Sequence, residues 1–383
     1  MLFTPRLCLL ASRRSYATAS TFRAADTIIK KTERGNSKPD PEKLVFGASF
    51  SDHMLTIKHT NKSGWDKPVI EPLRDLSIHP SAKVLHYATE LFEGMKAYRG
   101  VDGKIRLFRP DLNMKRMIST AERSVLPTFD GNELLECIKK LVHVDADWVP
   151  RSTSSTLYIR PTLIGTEPTL GVAASSESLL FVITGPVGPY FPTGFKPVSL
   201  LADTVHCRAF PGGMGAFKAG SNYGPTIYVN KMAQAEGCQQ VLWLYGDKRY
   251  ITEVGTMNVF MCLKNKKGGG VELVTPPLNG LILPGVTRQS IIDLGRTWKD
   301  MTVSEREITM DELIEAQQEN RLLEMFGAGT AAIVCPVERI VYEGKSYDLA
   351  TMNEGAPITT RFHDEIVAIQ FGRKPSKWAV DIN

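Results

Sequence analysis

Lys218 stands in the run GGMGAFKAGSNYGPT, among Gly212, Gly213, Gly215, Gly220 and Gly224 and shortly before Tyr223. Glycines let the backbone take positive φ and approach a ligand closely, which a solvated lysine does not need. Most lysines are surface groups. Here the neighbours are Ala216, Phe217 and Ala219; an apolar setting of this kind favours the neutral, nucleophilic amine. Glu253, in ITEVGTMNVF, is the only acid between Asp247 and Glu272 in a largely apolar stretch. A buried carboxylate needs a partner: a protonated ring nitrogen is one, while backbone amides or an arginine are the more ordinary choice.

Two turns could hold an anion. In LPGVTRQS, Pro284 and Gly285 lead into a helix opened by Val286 and Thr287. The free amides and positive dipole end of such a helix attract phosphate, and Thr287 adds a hydroxyl. In FGAGTAA, Gly327, Gly329 and Thr330 form a tight turn that either cradles an anion or simply joins two strands. Arg116, in NMKRM on a helix with Leu112, Met117 and Ile118, is either a phosphate clamp or a solvated charge. Together these give a lysine amine, an acid, an arginine and two anion-binding turns. That inventory suits an aldehyde cofactor with a phosphate and a ring nitrogen, pyridoxal phosphate. No CxxC pair or other metal-ligand spacing is present, so no metal is expected.

The elements that must position these groups read in two halves. From about Thr27, KLVFGASFSDHMLTIKH alternates like strands, RPDLNMKRMISTAERSVL and NELLECIKKLVHVD have helical spacing, and TLYIRPTLIG and SLLFVITG read as strands. The run GPVGPYFPTGFKP, Gly185 to Pro197, is dense in glycine and proline and marks an interdomain connection. Beyond it, QQVLWLYG and VELVTPP read as strands, RYITEVGTMNVFMCL as a hairpin, and LLEMFGAGTAAIVCPVERIVY as strand, turn, strand. TRQSIIDLG is a short helix stopping near Gly295, and TTRFHDEIVAIQFG a closing amphipathic helix with Phe362, Ile366 and Ile369 on one face. TMDELIEAQQ opens with the capping pair Thr309 and Glu312. The expected class is α+β, with two α/β domains. The expected boundaries are a presequence at 1–25, a small N-terminal domain at 26–186, the loop at 187–197 and a large cofactor-binding domain at 198–383.

Composition agrees with a globular chain of two ordinary domains: 383 residues, 43% hydrophobic and 23% charged, enough to bury sizeable cores. No apolar run approaches the roughly 20 residues that span a bilayer. The six cysteines are scattered, arguing for a reduced compartment. Of the net charge of +5, four arginines in residues 1–25 supply +4, leaving +1 for the rest; a nearly neutral body gives no basis for nucleic-acid binding. The acid-free, Arg-, Ser- and Ala-containing N-terminus reads as a mitochondrial presequence, with RRSYATAS as a cleavage region.

The segments LFEGMKAYRG, RLFRPDLNMKRM, LYIRPTLIGTEPTLGV, GPVGPYF, KAGSNYGPT, GCQQVLWLYG, TEVGTMNVF, LNGLILPGVTRQS and GAGTAAIVCPVERI occur in order. On these the chain resembles the branched-chain amino acid aminotransferases, a fold-type IV family of pyridoxal phosphate enzymes, and is most similar to the mitochondrial form. The resemblance implies amino transfer between leucine, isoleucine or valine and 2-oxoglutarate, and a homodimer. It implies that Lys218 forms the Schiff base, that Tyr223 bonds the cofactor's phenolic oxygen and that Glu253 faces the pyridine nitrogen. It gives the phosphate to Arg116, the amides of Val286 and Thr287 and the Thr287 hydroxyl, with Thr256 and Asn258 in support. Thr330 and the Ala331 amide would take the substrate's α-carboxylate. Phe46, Tyr87, Phe92, Tyr158 and Tyr190 would wall the side-chain pocket, with Arg160 at its polar end. The rival readings are a D-amino acid aminotransferase or an aminodeoxychorismate lyase of the same fold type. One departure is that TAAIVCPV has Ala332 where some animal mitochondrial members carry the first cysteine of a CxxC pair, leaving Cys335 alone and no thiol–disulfide switch.

Overall fold

The computed structural model describes residues 21–33, 35–40, 43–188, 196–266 and 269–382. Two sheets organise the chain. The first has ten strands. Its order is Ile28–Ile29, Val69–Pro72, His53–Thr60, Glu177–Val187, Thr156–Gly165, Met95–Arg99, Ile105–Phe108 and Ala379–Asp381, with Gly64–Trp65 and Glu90–Phe92 attached at the sides. Among the described residues seven α-helices follow in chain order: α1 Lys83–Tyr87, α2 Pro110–Arg123, α3 Gly131–Val144, α4 Thr226–Ala235, α5 Val286–Gly295, α6 Met310–Gln318 and α7 Pro357–Gln370.

Helices α2 and α3 start where their sequences say they should. Pro110 occupies the first turn of α2, where a missing N–H costs nothing, and Asp130 caps α3 by accepting from the Asn132 amide. Their buried faces, including Met114, Met117, Ala121, Leu134, Ile138 and Leu141, pack on Leu55, Ala97, Leu107, Leu157 and Leu163 of the sheet.

The second sheet has nine strands, in the order Tyr250–Val254, Gln240–Tyr245, Val198–Asp203, Ile333–Tyr342, Leu322–Gly329, Met257–Lys264, Val271–Thr275 and Met301–Glu305, with Lys345–Asp348 beside Ile333–Tyr342. Tyr250–Val254 also pairs with Met257–Lys264, closing part of the sheet on itself. Thr309 accepts from the Glu312 amide to cap α6, while the Glu312 carboxylate turns to Arg306 at 2.8 Å, so only half of the expected reciprocal cap forms. The start of α7 is capped from outside its own segment. The Glu324 carboxylate accepts from the amides of Ile358 and Thr359, both at 2.7 Å, and from the Thr359 hydroxyl at 2.6 Å.

The two halves share a core in which Tyr98 and Phe108 of the first sheet lie with Phe260, Phe326, Phe362 and Phe371 of the second half. The mixed α+β class is as expected, but several details differ from the sequence reading. Within KLVFGASFSDHMLTIKH the strand begins at His53, not near Lys43, because the chain turns around Gly47, whose φ of 72° breaks an extended path. The C-terminal strand Ala379–Asp381 crosses back to pair antiparallel with Ile105–Phe108, so the end of the 198–383 segment belongs to the first sheet. Phe22 and Ala24 are only 3% and 5% exposed, Phe22 meets the rings of Trp65 and Phe129, and the Ala24 amide donates to Glu133. Phe22 and Ala24 thus pack into the core of the first half, while Arg23 and Ala25 are exposed; RRSYATAS lies outside the described residues. Among those residues, no helix is long and apolar enough to cross a membrane.

Candidate active site

Strand Glu90–Phe92 and helix α2 fix the backbone around Lys218. The Phe92 amide donates to the Lys218 carbonyl at 3.1 Å, and the Lys218 amide donates to the Thr120 hydroxyl of α2 at 3.1 Å. Asn222 closes the glycine-rich loop by donating to the carbonyls of Met214 and Phe217, both at 2.8 Å. The glycines that close approach demands are specific: a Cβ on Gly220 would stand 1.8 Å from Glu90 Oε1, and one on Gly94 2.1 Å from the Tyr158 hydroxyl.

The Lys218 amine lies 3.2 Å from the Tyr223 hydroxyl and 4.7 Å from the centre of the Phe92 ring. Burial, reinforced by the positive charges of Arg116 and Arg160 against the acids Glu93 and Glu253, brings its pKa down to about 7. Burial pushes the Tyr223 hydroxyl the other way, up to about 12.

Glu253 is 2% exposed. Its Oε1 accepts from Asn258 Nδ2 and from the Leu283 amide, both at 3.0 Å, and its Oε2 from Arg208 Nε at 2.9 Å. Burial raises its pKa, opposed first by Arg208 and then by the Leu283 amide. An ionised carboxylate has about four acceptor positions, so this one has room for one further donor. Arg116 is buried against Glu93, its Nε at 2.7 Å from Oε1 and its Nη2 at 2.8 Å from Oε2, and its Nη1 donates to the Pro284 carbonyl at 3.1 Å. That last bond brings it to the start of α5, where Gly285 is the N-cap and no side chain caps the first amides. A lysine amine, a carboxylate with a spare acceptor position, and an arginine beside an uncapped helix start fit pyridoxal phosphate.

Of the residues expected to wall the side-chain pocket, Phe46, Tyr158 and Arg160 line one cavity of about 200 Å³ with Ile183 and Gly185. The rings of Phe46 and Tyr158 meet edge to face at 4.9 Å, and Arg160 Nη2 donates to the Tyr158 hydroxyl at 3.1 Å. The Arg160 guanidinium lies 4.8 Å from the Phe92 ring, and its buried Nε has no partner. Thr330 lies with Thr287, Val286 and Asn113 around a second, small cavity.

Other expected residues are placed differently. Tyr87 is exposed and donates its hydroxyl to the Leu170 carbonyl, apart from this cluster. Thr256 is exposed at the tip of the hairpin that carries Glu253 and Asn258. Tyr190 lies outside the described residues. Sequence reasoning missed Glu93, Arg208 and Lys96, whose Nζ donates to the Ala331 carbonyl at 2.9 Å and whose pKa burial lowers to about 8. For Glu93 a signal existed: an acid inside the apolar run LFEGM, the same cue that singled out Glu253.

Residues 90–340 match the family model for amino-transferase class IV. The chain is 56% identical over 363 residues to the cytosolic branched-chain-amino-acid aminotransferase of Rattus norvegicus, covering 94% of this chain and 88% of that protein. It belongs to the branched-chain amino acid aminotransferases. It is therefore a pyridoxal-phosphate-dependent transaminase, and the lyase and D-amino acid readings fall away. The mitochondrial enzyme of Bos taurus is 51% identical over 382 residues, 99% of this chain and 97% of that one, so relatives from both compartments match over nearly full length. The crystal structure of the Escherichia coli branched-chain amino acid aminotransferase superposes with a TM-score of 0.67 at 25% identity, over 87% of this chain and 99% of that one.

Proposed function

We propose that this chain interconverts L-leucine, L-isoleucine or L-valine and 2-oxoglutarate with the branched 2-oxo acids and L-glutamate. The observation that carries the reading is a buried lysine amine beside Tyr223 and Phe92, next to an aromatic cavity with an unsatisfied arginine at its edge. Apolar walls from Phe46, Phe92 and Tyr158 receive an aliphatic side chain, and Arg160 receives the second carboxylate of the dicarboxylic partner. One methylene in an apolar pocket is worth about 1–3 kcal/mol, so all three branched amino acids are substrates with modest preferences.

Bound pyridoxal phosphate supplies the electron sink for charge developing at the substrate Cα. Lys218 would be its covalent anchor, and the Lys218 Nζ, whose pKa burial brings down to about 7, would be the base that accepts the Cα proton. Glu253 holds the proton on the ring nitrogen, and Asn258 fixes Glu253; Thr256 lines the same hairpin. Arg116 and the Val286 and Thr287 amides hold the phosphate. Tyr223 donates to the phenolic oxygen, and Thr330 with the Ala331 amide receives the α-carboxylate. A coupled assay of leucine with 2-oxoglutarate on the purified chain tests the reading. Absence of glutamate formation, with cofactor bound, would refute it.

The chain forms a homodimer in this proposal. Helix α1 and the 166–175 segment, joined by Tyr87 to Leu170 and by Lys83 to Gly171, expose Leu85, Leu170 and Val172 as an apolar patch. A second copy is its partner, and Tyr87 then serves the partner's pocket. Sedimentation as a monomer at micromolar concentration would count against this. The chain is directed to the mitochondrial matrix by the leader read at residues 1–25. Mass spectrometry of the native protein checks this through the mature N-terminus.

A further inference from the structure

Arg208 is invisible to motif reasoning, since HCRAF carries neither a glycine cue nor a helix start. Its position is built with care. Strand Val198–Asp203 ends in a turn that Asp203 ties down, its Oδ1 accepting from the amides of Val205 at 2.6 Å and His206 at 2.8 Å and its Oδ2 lying 2.9 Å from His206 Nδ1. The chain then delivers the Arg208 side chain, 6% exposed, to Glu253, with Nε 2.9 Å from Oε2 and Nη1 donating to the Leu281 carbonyl at 3.3 Å.

We propose that Arg208 is a positioning residue for the transamination: it holds Glu253 as an oriented carboxylate and leaves one acceptor position for the ring-nitrogen proton. This rests on the role proposed for Glu253. The argument is one of satisfied valence. Asn258 and the Leu283 amide fill the positions on Oε1, and Arg208 fills one of the two on Oε2. The carboxylate cannot rotate without losing three bonds, so the vacant position has a fixed direction. The charges acting on Glu253 are Arg208, Lys218 and Arg288, and Tyr223 is a further titratable neighbour. Burial lowers the Lys218 pKa to about 7, which weakens it as a cation, and its Nζ would be taken up in the cofactor linkage. Arg288 is engaged with Glu305 at 2.9 Å. Arg208 is therefore the cation dedicated to Glu253. Without it a buried carboxylate takes up a proton, and a neutral acid does not hold the ring nitrogen protonated.

The test is a cycle of R208M, R208K, E253Q and R208M/E253Q holoenzymes, read by kcat and KM for leucine. It is joined by thermal unfolding of the cofactor-free proteins between pH 5.5 and pH 8. R208M is expected to lose about 10²-fold in kcat, with KM for leucine within about threefold of wild type, and R208K to recover most of the loss. The double variant is expected to be no worse than E253Q alone, since Arg208 acts through that acid. In the cofactor-free proteins the melting-temperature deficit of R208M is expected to shrink as pH falls. A carboxyl whose folded-state pKa is raised penalises the folded state above its unfolded value, and protonation relieves the penalty. Additive kcat losses, or a pH-independent melting deficit shared by R208K, would assign Arg208 a merely structural role and overturn the proposal. E253Q crippled beside an unimpaired R208M would overturn the proposal alone. E253Q with wild-type turnover would overturn the role of Glu253 and the proposal with it.

Discussion

Replacing Glu93 by glutamine keeps the volume and removes one charge from a pair with no solvent access on the acid side. Glu93 is 0% exposed and Arg116 8%, and they meet through two bonds of 2.7 and 2.8 Å. At about 4 Å between charge centres and an effective dielectric near 20, the pair is worth about 4 kcal/mol, in line with the 3–5 kcal/mol typically lost when one partner of a buried pair is removed. Asn113 Nδ2 and the Gly94 amide, which donate to Glu93 Oε2 at 2.8 and 3.1 Å, face an amide in its place. Cofactor-free E93Q should therefore unfold in urea with about 3–5 kcal/mol less stability, at matched protein concentration. A second readout follows from the same contact. Glu93 is the acid that most raises the Lys218 pKa against burial and Arg116. Its loss should move the Lys218 titration below that of wild type. An E93Q protein within about 1 kcal/mol of wild type, or one whose Lys218 titrates higher, would refute this account of the pair.

K218A should abolish transamination while retaining some cofactor, checked by absorbance after gel filtration and by glutamate formation. R160Q should raise KM for 2-oxoglutarate about 10–100-fold and KM for leucine by no more than about threefold; equal effects on both would contradict the dicarboxylate role. E324A strips α7 of three buried bonds and should cost about 3 kcal/mol or more in urea unfolding, with little change in kcat because Glu324 lies outside the site. Cys335 is 1% exposed, and burial pushes its thiol up to about 12. With alanine at 332, peroxide should neither form a disulfide there nor inhibit through it, as thiol mapping after oxidation would report.

Local signals in the sequence carried far because local physics decides them. The Thr309 cap, the helical spacing that gives α2 and α3, and the apolar strand runs Thr156–Gly165 and Tyr250–Val254 need no distant information. Lys218 was legible for the same reason, since its glycines and its nearest apolar residues lie within the same fifteen-residue run. What stayed hidden depends on contacts the chain makes late. Glu93 gains its meaning from Arg116, 23 residues on, Arg208 from Glu253 and Lys96 from Ala331, 235 residues on. The pairing of Ala379–Asp381 with Ile105–Phe108 is likewise a tertiary event without a periodic signature. Tyr87 shows the converse, a residue named for the pocket whose place in one chain is the edge of an apolar patch.

The most direct test of the central claim is the pH dependence of cofactor attachment to the cofactor-free protein, trapped with borohydride and located by peptide mapping. The account predicts label on Lys218, appearing with a midpoint near pH 7. Label on another lysine, or on Lys218 with a midpoint near the ordinary lysine value of about 10.4, would contradict it.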